Sequence, residues 1–90
     1  MESNEISVHE MRIFRVFQRR KEWLTSKEVA KDADVSERTS RHHCLRLSKM
    51  GVVDLAEVFP GHRYRLSDKA TKRNPGYVQR LEKAGETFGI

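Results

Sequence analysis

The sequence predicts a mainly helical α+β domain, with a three-helix core, a β-hairpin and a C-terminal helix. Three observations predict it. Apolar residues recur at spacings of three and four through most of the chain, which is the helix period. That period gives way once, after Gly51, to a short stretch of alternation. Ser, Thr or Asn stands just ahead of each helical stretch, where a helix needs an N-cap. At 90 residues the chain suffices for one domain and not for two. Charged residues make up 34% and hydrophobic residues 37%, a balance that suits a folded domain and not a disordered chain.

Residues 1–6 read as a tail, 7–68 as the main domain and 69–90 as a C-terminal helical segment. From Ser7 to Gln18, Met11, Phe14 and Phe17 mark one helix face, with Val8, Ile13 and Val16 beside it. Ser7 with Glu10 three residues on is a capping-box pattern. The basic run Arg19-Arg20-Lys21 suits the negative end of the helix dipole. Trp23-Leu24-Thr25 is a brief extended segment. Thr25 with Glu28 is a second capping box, and the short helix behind it buries Val29, Ala30 and Ala33. Ala33-Asp34-Val35 has room only for a turn. Ser36 then caps a third helix over 37–50, which Gly51 stops.

Beyond Gly51, Val53, Leu55 and Phe59 are spaced for a strand, with Asp54 and Ala56 between them. Pro60-Gly61 fits the centre of a type II turn, since proline fixes φ and glycine accepts φ > 0. In Arg63-Tyr64-Arg65-Leu66 the arginines share one face, and Tyr64 and Leu66 the other. The two segments pair as a hairpin. Asn74-Pro75 opens the last helix, with Pro75 at its first position. Tyr77, Leu81, Ala84 and Phe88 make its apolar stripe, while Gly76 and Gly85 lower its helix propensity.

Helix, short strand, helix, tight turn, helix and hairpin is the layout of a winged helix-turn-helix. The segment Leu24 to Leu66 resembles the DNA-binding domains of the ArsR, MarR and IclR regulator families. "TSKEVAKDADVSERTSRHHCLRLSKMGVV" and "DLAEVFPGHRYRLS" carry that resemblance over about half the chain. The families usually place bulky aliphatic residues where Ser40 and Cys44 stand here. The resemblance implies a sequence-specific double-stranded DNA-binding regulator, with helix 36–50 in the major groove and wing 59–66 on the backbone or minor groove.

The charge agrees with a polyanionic partner. The formal net charge is +5 and the pI is about 9.7. In the third helix, Ser40, His43, Cys44, Leu47 and Met50 share the inward face, expected against Phe14, Phe17, Val29 and Ala33. Glu37, Arg38, Arg41, His42 and Leu45 share the outward one. Arginine can bond guanine bidentately, so Arg38 and Arg41 are the candidate base readers, with His42 beside them. Ser36 and Thr39, at the positive end of the helix, are candidate phosphate donors. On the wing, His62, Arg63 and Arg65 are the candidate contacts. The competing readings are a solvated helix face and an edge strand charged against aggregation.

Other chemistries are poorly served. His42-His43-Cys44 invites a metal reading, but consecutive helix residues diverge and a tetrahedral site needs converging ligands, so no metal is expected. There is no glycine-rich phosphate loop, nucleophile elbow or metalloprotease motif, so no enzyme activity, cofactor or small-molecule substrate is expected. With one cysteine no intrachain disulfide can form, and no apolar run approaches a membrane span. The N-terminus lacks the basic start and apolar stretch of a signal peptide. A cytoplasmic protein with no membrane partner is the expectation. In the families it resembles, the first and last helices form dimers, so a homodimeric repressor is expected. The last helix can instead fold back on its own domain. A winged-helix protein-interaction module, or a binder of RNA or left-handed DNA, remain the alternatives.

Overall fold

The computed structural model describes residues 6–58 and 61–90. Helix α1 spans Val8–Arg19, α2 Ser26–Ala33 and α3 Glu37–Lys49. Strands β1 (Val53–Val58) and β2 (Gly61–Leu66) follow, then α4 (Ala70–Arg73) and α5 (Pro75–Phe88). None of the described helices is long and apolar enough to cross a membrane.

Helix α1 is the centre of the domain. It packs against α2, α3 and α5, and it also touches β2. Met11, Ile13, Phe14, Val16 and Phe17 are all at most 1% exposed, so the apolar face is wider than the stripe of Met11, Phe14 and Phe17. A helix covered from several sides buries more than one stripe. Ile6, expected in the tail, is buried with them, and the rest of that segment lies outside the described residues.

The caps show why the helices start where they do. Ser7 accepts from the backbone of Glu10 at 3.1 Å, but the Glu10 side chain does not return to Ser7. Half of the expected capping box is therefore missing. The box at Thr25 is complete: Thr25 Oγ1 accepts from Glu28 N at 3.1 Å, and Glu28 Oε1 accepts from Thr25 N at 2.9 Å. Ser36 caps α3 through Thr39 N at 3.0 Å. Between α2 and α3 the chain turns at Asp34, in the left-handed region at φ 58°, where Asp is better tolerated than most residues.

On the inner face of α3, Cys44 and Leu47 are fully buried. Ser40 is too, where a bulky aliphatic residue was the family expectation. Its hydroxyl donates to the Ser26 carbonyl at 2.7 Å, so a small polar residue fits because it has a partner on α2. Gly51 ends the helix at φ 81°.

The hairpin is antiparallel, with Val53 opposite Leu66, Leu55 opposite Tyr64 and Ala56 opposite Arg63. Leu24 adds a bridge on the outer edge of β2, its N–H and C=O both bonded to Tyr64 at 2.8 Å. Gly61 is already the first residue of β2, opposite Val58. Pro60, the other half of the expected type II turn, lies outside the described residues, as does Phe59.

Helix α4 is a single turn with no side-chain cap, so no cap signal in the sequence marks it. Asn74 then caps α5, accepting from Tyr77 N at 3.3 Å while its amide donates to the Met50 carbonyl at 3.2 Å. The buried face of α5 is Tyr77, Val78, Leu81 and Gly85, with Ala84 half-buried. Phe88 is 43% exposed, so the expected stripe ends one turn early. A Cβ on Gly85 would stand 3.0 Å from Met11 Cε and closer still to the Arg15 guanidinium. The glycine that weakens α5 as a helix is where α5 approaches α1.

Candidate nucleic-acid interface

Three elements meet on one side of the molecule. The N-terminus of α2, the first turns of α3 and strand β2 enclose an open cleft lined by Thr25, Ser26, Lys27, Glu37, Arg41, Gly61, His62, Arg63 and Tyr64. Tyr64 is its floor. The ring is 1% exposed, and burial raises the phenol pKa, with the Arg41 charge opposing the shift.

The candidate residues are distributed over this side as follows. Arg38, Arg41 and His42 are exposed on the outer face of α3, and His62 and Arg63 are exposed on β2. Arg41, His62 and Arg63 share the cleft. Among the described residues, Arg38, Arg41 and Arg63 take part in no salt bridge. Arg20 is paired with Glu22 and Asp32, Arg46 with Glu10, and Arg73 with Asp54. Arg12, Arg15, Arg19, Arg65 and Arg80 are in no salt bridge among the described residues either, so what marks this side is the convergence of Arg41 and Arg63 on one cleft and not the lack of partners.

Ser36 and Thr39 have unequal prospects as donors. The Ser36 hydroxyl caps Thr39 N and donates to Thr39 Oγ1 at 2.9 Å, so its single proton is used. The Thr39 hydroxyl proton has no such commitment in that pair.

Arg65 stands apart. Its guanidinium lies 4.5 Å from the centroid of the Trp23 ring, a cation–π stack that holds β2 against the segment before α2. It is half-buried and does not line the cleft. Lys27, exposed in the first turn of α2 and not among the contacts expected from the sequence, does line it. The signal was present, since the first helix of a helix-turn-helix crosses the backbone of the bound duplex.

Behind α3 lies a charged cluster that the sequence did not announce. The Glu10 carboxylate, on a residue 2% exposed, meets His43 Nδ1 at 2.8 Å and Arg46 Nε at 3.2 Å. His43 was expected in the core and is instead half-buried at this polar contact. His42 sits edge-on to His43, ring centroids 5.1 Å apart. Cys44 is fully buried, and burial pushes its thiol up to about 12. Among the described residues no three His, Cys, Asp or Glu side chains gather as a metal site.

No protein-family model matches the chain, and no curated protein matches its sequence. Solved structures do match. ZitR of Lactococcus lactis, a zinc-responsive MarR family member, matches with a TM-score of 0.57 and 14% identity, over 98% of this chain and 62% of that one. Two single-residue mutants of ZitR match with a TM-score of 0.60, at 14% and 12% identity, over 99% of this chain. The chain thus spans 62% of the length of these structures. Of the three families the sequence resembles, MarR is the one met among these structures. The helices and hairpin of this chain form a winged helix-turn-helix, the fold it shares with a zinc-responsive member of the MarR family.

Proposed function

We propose that the chain is a sequence-specific double-stranded DNA-binding transcriptional regulator, acting in the cytoplasm as a homodimeric repressor. In this reading α3 enters the major groove, with Arg38, Arg41 and His42 toward the base edges and Ser36 and Thr39 toward phosphate. His62 and Arg63 of the wing lie along the backbone or minor groove, joined by Lys27 from α2. The observation that carries the reading is the convergence of basic side chains from three elements on one cleft. Lys27, Arg41, His62 and Arg63, all exposed, line a cleft made by the first turns of α2 and α3 and the wing. A polyanion is the partner such a surface suits.

Arg65 has a lesser part here, because its guanidinium is already stacked on Trp23. Residues 7–68 act as the DNA-binding unit, and the segment 69–90 both braces α1 and supplies the pairing surface. Phe88 and Ile90, 43% and 40% exposed at the end of α5, support that second role. Two copies would double the bases read, since one recognition helix reaches only a few. The zinc response of ZitR is not carried over. Cys44 holds its proton in the core and His43 is engaged by Glu10.

The test is selection of bound sequences from random duplex DNA, with the mass of the complex measured alongside. An inverted-repeat consensus bound by two copies is expected. Absence of any enriched sequence, with the protein folded, would remove the reading and favour a protein-interaction module.

A further inference from the structure

We propose that Leu45 is a specificity-determining residue that reads a thymine methyl group in the major groove. The inference rests on the DNA-binding reading above and deepens it. On α3, residues 38, 42, 45 and 49 follow one another at steps of four, three and four, which lines them along one helix face. Three of the four are Arg38, His42 and Lys49, all exposed. The fourth is Leu45. It is half-buried, its inner side packed on the core and its outer side open to a shallow groove shared with His42, Arg46, Lys49 and Met50.

The chemistry of that groove is specific. Its floor is apolar, and its rim carries the cations Lys49 and Arg46, the second of them shared with the Glu10 carboxylate. A cationic rim selects a polyanion, and an apolar floor has nothing to gain from phosphate or sugar. The base edges of the major groove offer one apolar group, the C5-methyl of thymine. Uracil in RNA lacks that methyl, and the deep, narrow major groove of A-form RNA does not admit a helix. Leu45 therefore complements the arginines. They read donors and acceptors, and it reads a methyl.

The test replaces each thymidine of the selected duplex by deoxyuridine, one position at a time, which removes the methyl and nothing else. The wild-type protein should lose affinity about fourfold at one position in each half-site, the equivalent of one buried methyl group. Leu45→Ala and Leu45→Gln, each checked for folding by circular dichroism, should bind thymidine and deoxyuridine duplexes alike at that position. A wild-type protein indifferent to every replacement overturns the proposal without touching the DNA-binding reading. So does a sensitive position that persists in the folded Leu45 variants, because another side chain then carries it. Failure to bind any duplex would defeat the parent reading and this one with it, and it is distinguishable because the scan could then not begin.

Discussion

Glu10 on α1 and His43 on α3 are joined by a carboxylate–imidazole contact of 2.8 Å, in a part of the molecule where Glu10 is 2% exposed. Arg46 shares the same carboxylate oxygen at 3.2 Å, one helical step further along. The helix that carries the candidate contact surface is therefore tied to the central helix by charge as well as by apolar packing. The sequence places Glu10 three residues after Ser7, where a capping box would turn it back to the helix start. The tertiary contact wins. Two cationic or polar partners on α3 hold a buried carboxylate better than one backbone N–H does.

Removing that tie should cost stability. Glu10→Ala leaves His43 half-buried without its acceptor and opens a gap at the α1–α3 contact. Hydrogen bonds to a charged group contribute about 1.5–3 kcal/mol each. The His43 contact is the one hydrogen bond at stake and Arg46 adds only a half-exposed ion pair, so the expected loss is about 2 kcal/mol. Urea unfolding measures it. Glu10→Gln, which keeps the shape and one acceptor, should lose less. Equal losses for the two variants would mean that packing alone, and not the charge, matters at this site.

Gly85 makes a contrasting case. An added methyl meets only the far ends of the Arg15 and Met11 side chains, both of which can swing aside. Against that crowding, alanine improves helix propensity by up to about 1 kcal/mol. Gly85→Ala should therefore change stability by less than about 1 kcal/mol. Gly85→Leu must displace Met11, which is fully buried, and should cost about 1–3 kcal/mol through overpacking. Thermal melts of the two variants decide it, and a Leu variant as stable as the parent would mean α5 is free to lift from α1.

What the sequence showed follows from range. The caps at Ser7, Thr25, Ser36 and Asn74 are contacts between residues three apart, and all four form. The two faces of α3 and the alternation of Arg63, Tyr64, Arg65 and Leu66 are also local, set by helix and strand geometry. What stayed hidden depends on partners distant in the chain. Nothing near Glu10 announces His43, 33 residues away. Nothing near Arg65 announces that Trp23 will lie beneath it. Gly85 looks like a helix weakness until α1 arrives beside it. At the candidate interface the residue types were legible, but the separation of free from occupied cations was not, because occupation is a tertiary fact.

Cys44 predicts a pH dependence at the alkaline end. Its thiol is raised from 9.0 to about 12, chiefly by burial, with the Ser40 hydroxyl 3.8 Å away opposing the shift. Above pH 9 the unfolded chain releases the thiol proton while the folded chain keeps it. Unfolding then releases a proton, so stability falls as pH rises from 9 toward 12. The slope approaches about 1.4 kcal/mol per pH unit for one such group. Tyr64 shifts in the same direction and steepens it. Urea midpoints between about pH 8 and 11 should fall less steeply in Cys44→Ala than in the parent, whatever packing that variant loses. Parallel slopes would show that the thiol is hydrated in the folded protein.

The last prediction separates the two arms of the candidate interface. Arg41 lies on α3 about a turn inside its N-cap, unpaired and at the edge of the cleft. If it meets a base, Arg41→Ala should cost about 1–3 kcal/mol of affinity and relax preference at one position in each half-site. Arg63 lies on the outward face of β2, opposite Ala56, across the same cleft. A phosphate contact is expected there. Arg63→Ala should weaken all duplexes alike and reduce the slope of log affinity against log salt by about 0.9. Arg65→Ala is the internal comparison. Its guanidinium is held over Trp23, so its loss should disturb the hairpin and change the fluorescence of the one tryptophan, with a smaller effect on affinity than Arg63→Ala. Binding of the three variants to consensus and scrambled duplexes over a salt series, with melting temperatures as control, distinguishes the roles. Wild-type affinity in both Arg41→Ala and Arg63→Ala, with folding intact, would place the DNA-facing surface elsewhere on the molecule. An Arg65→Ala variant weaker than Arg63→Ala would mean that the stacked guanidinium swings off Trp23 when the duplex binds.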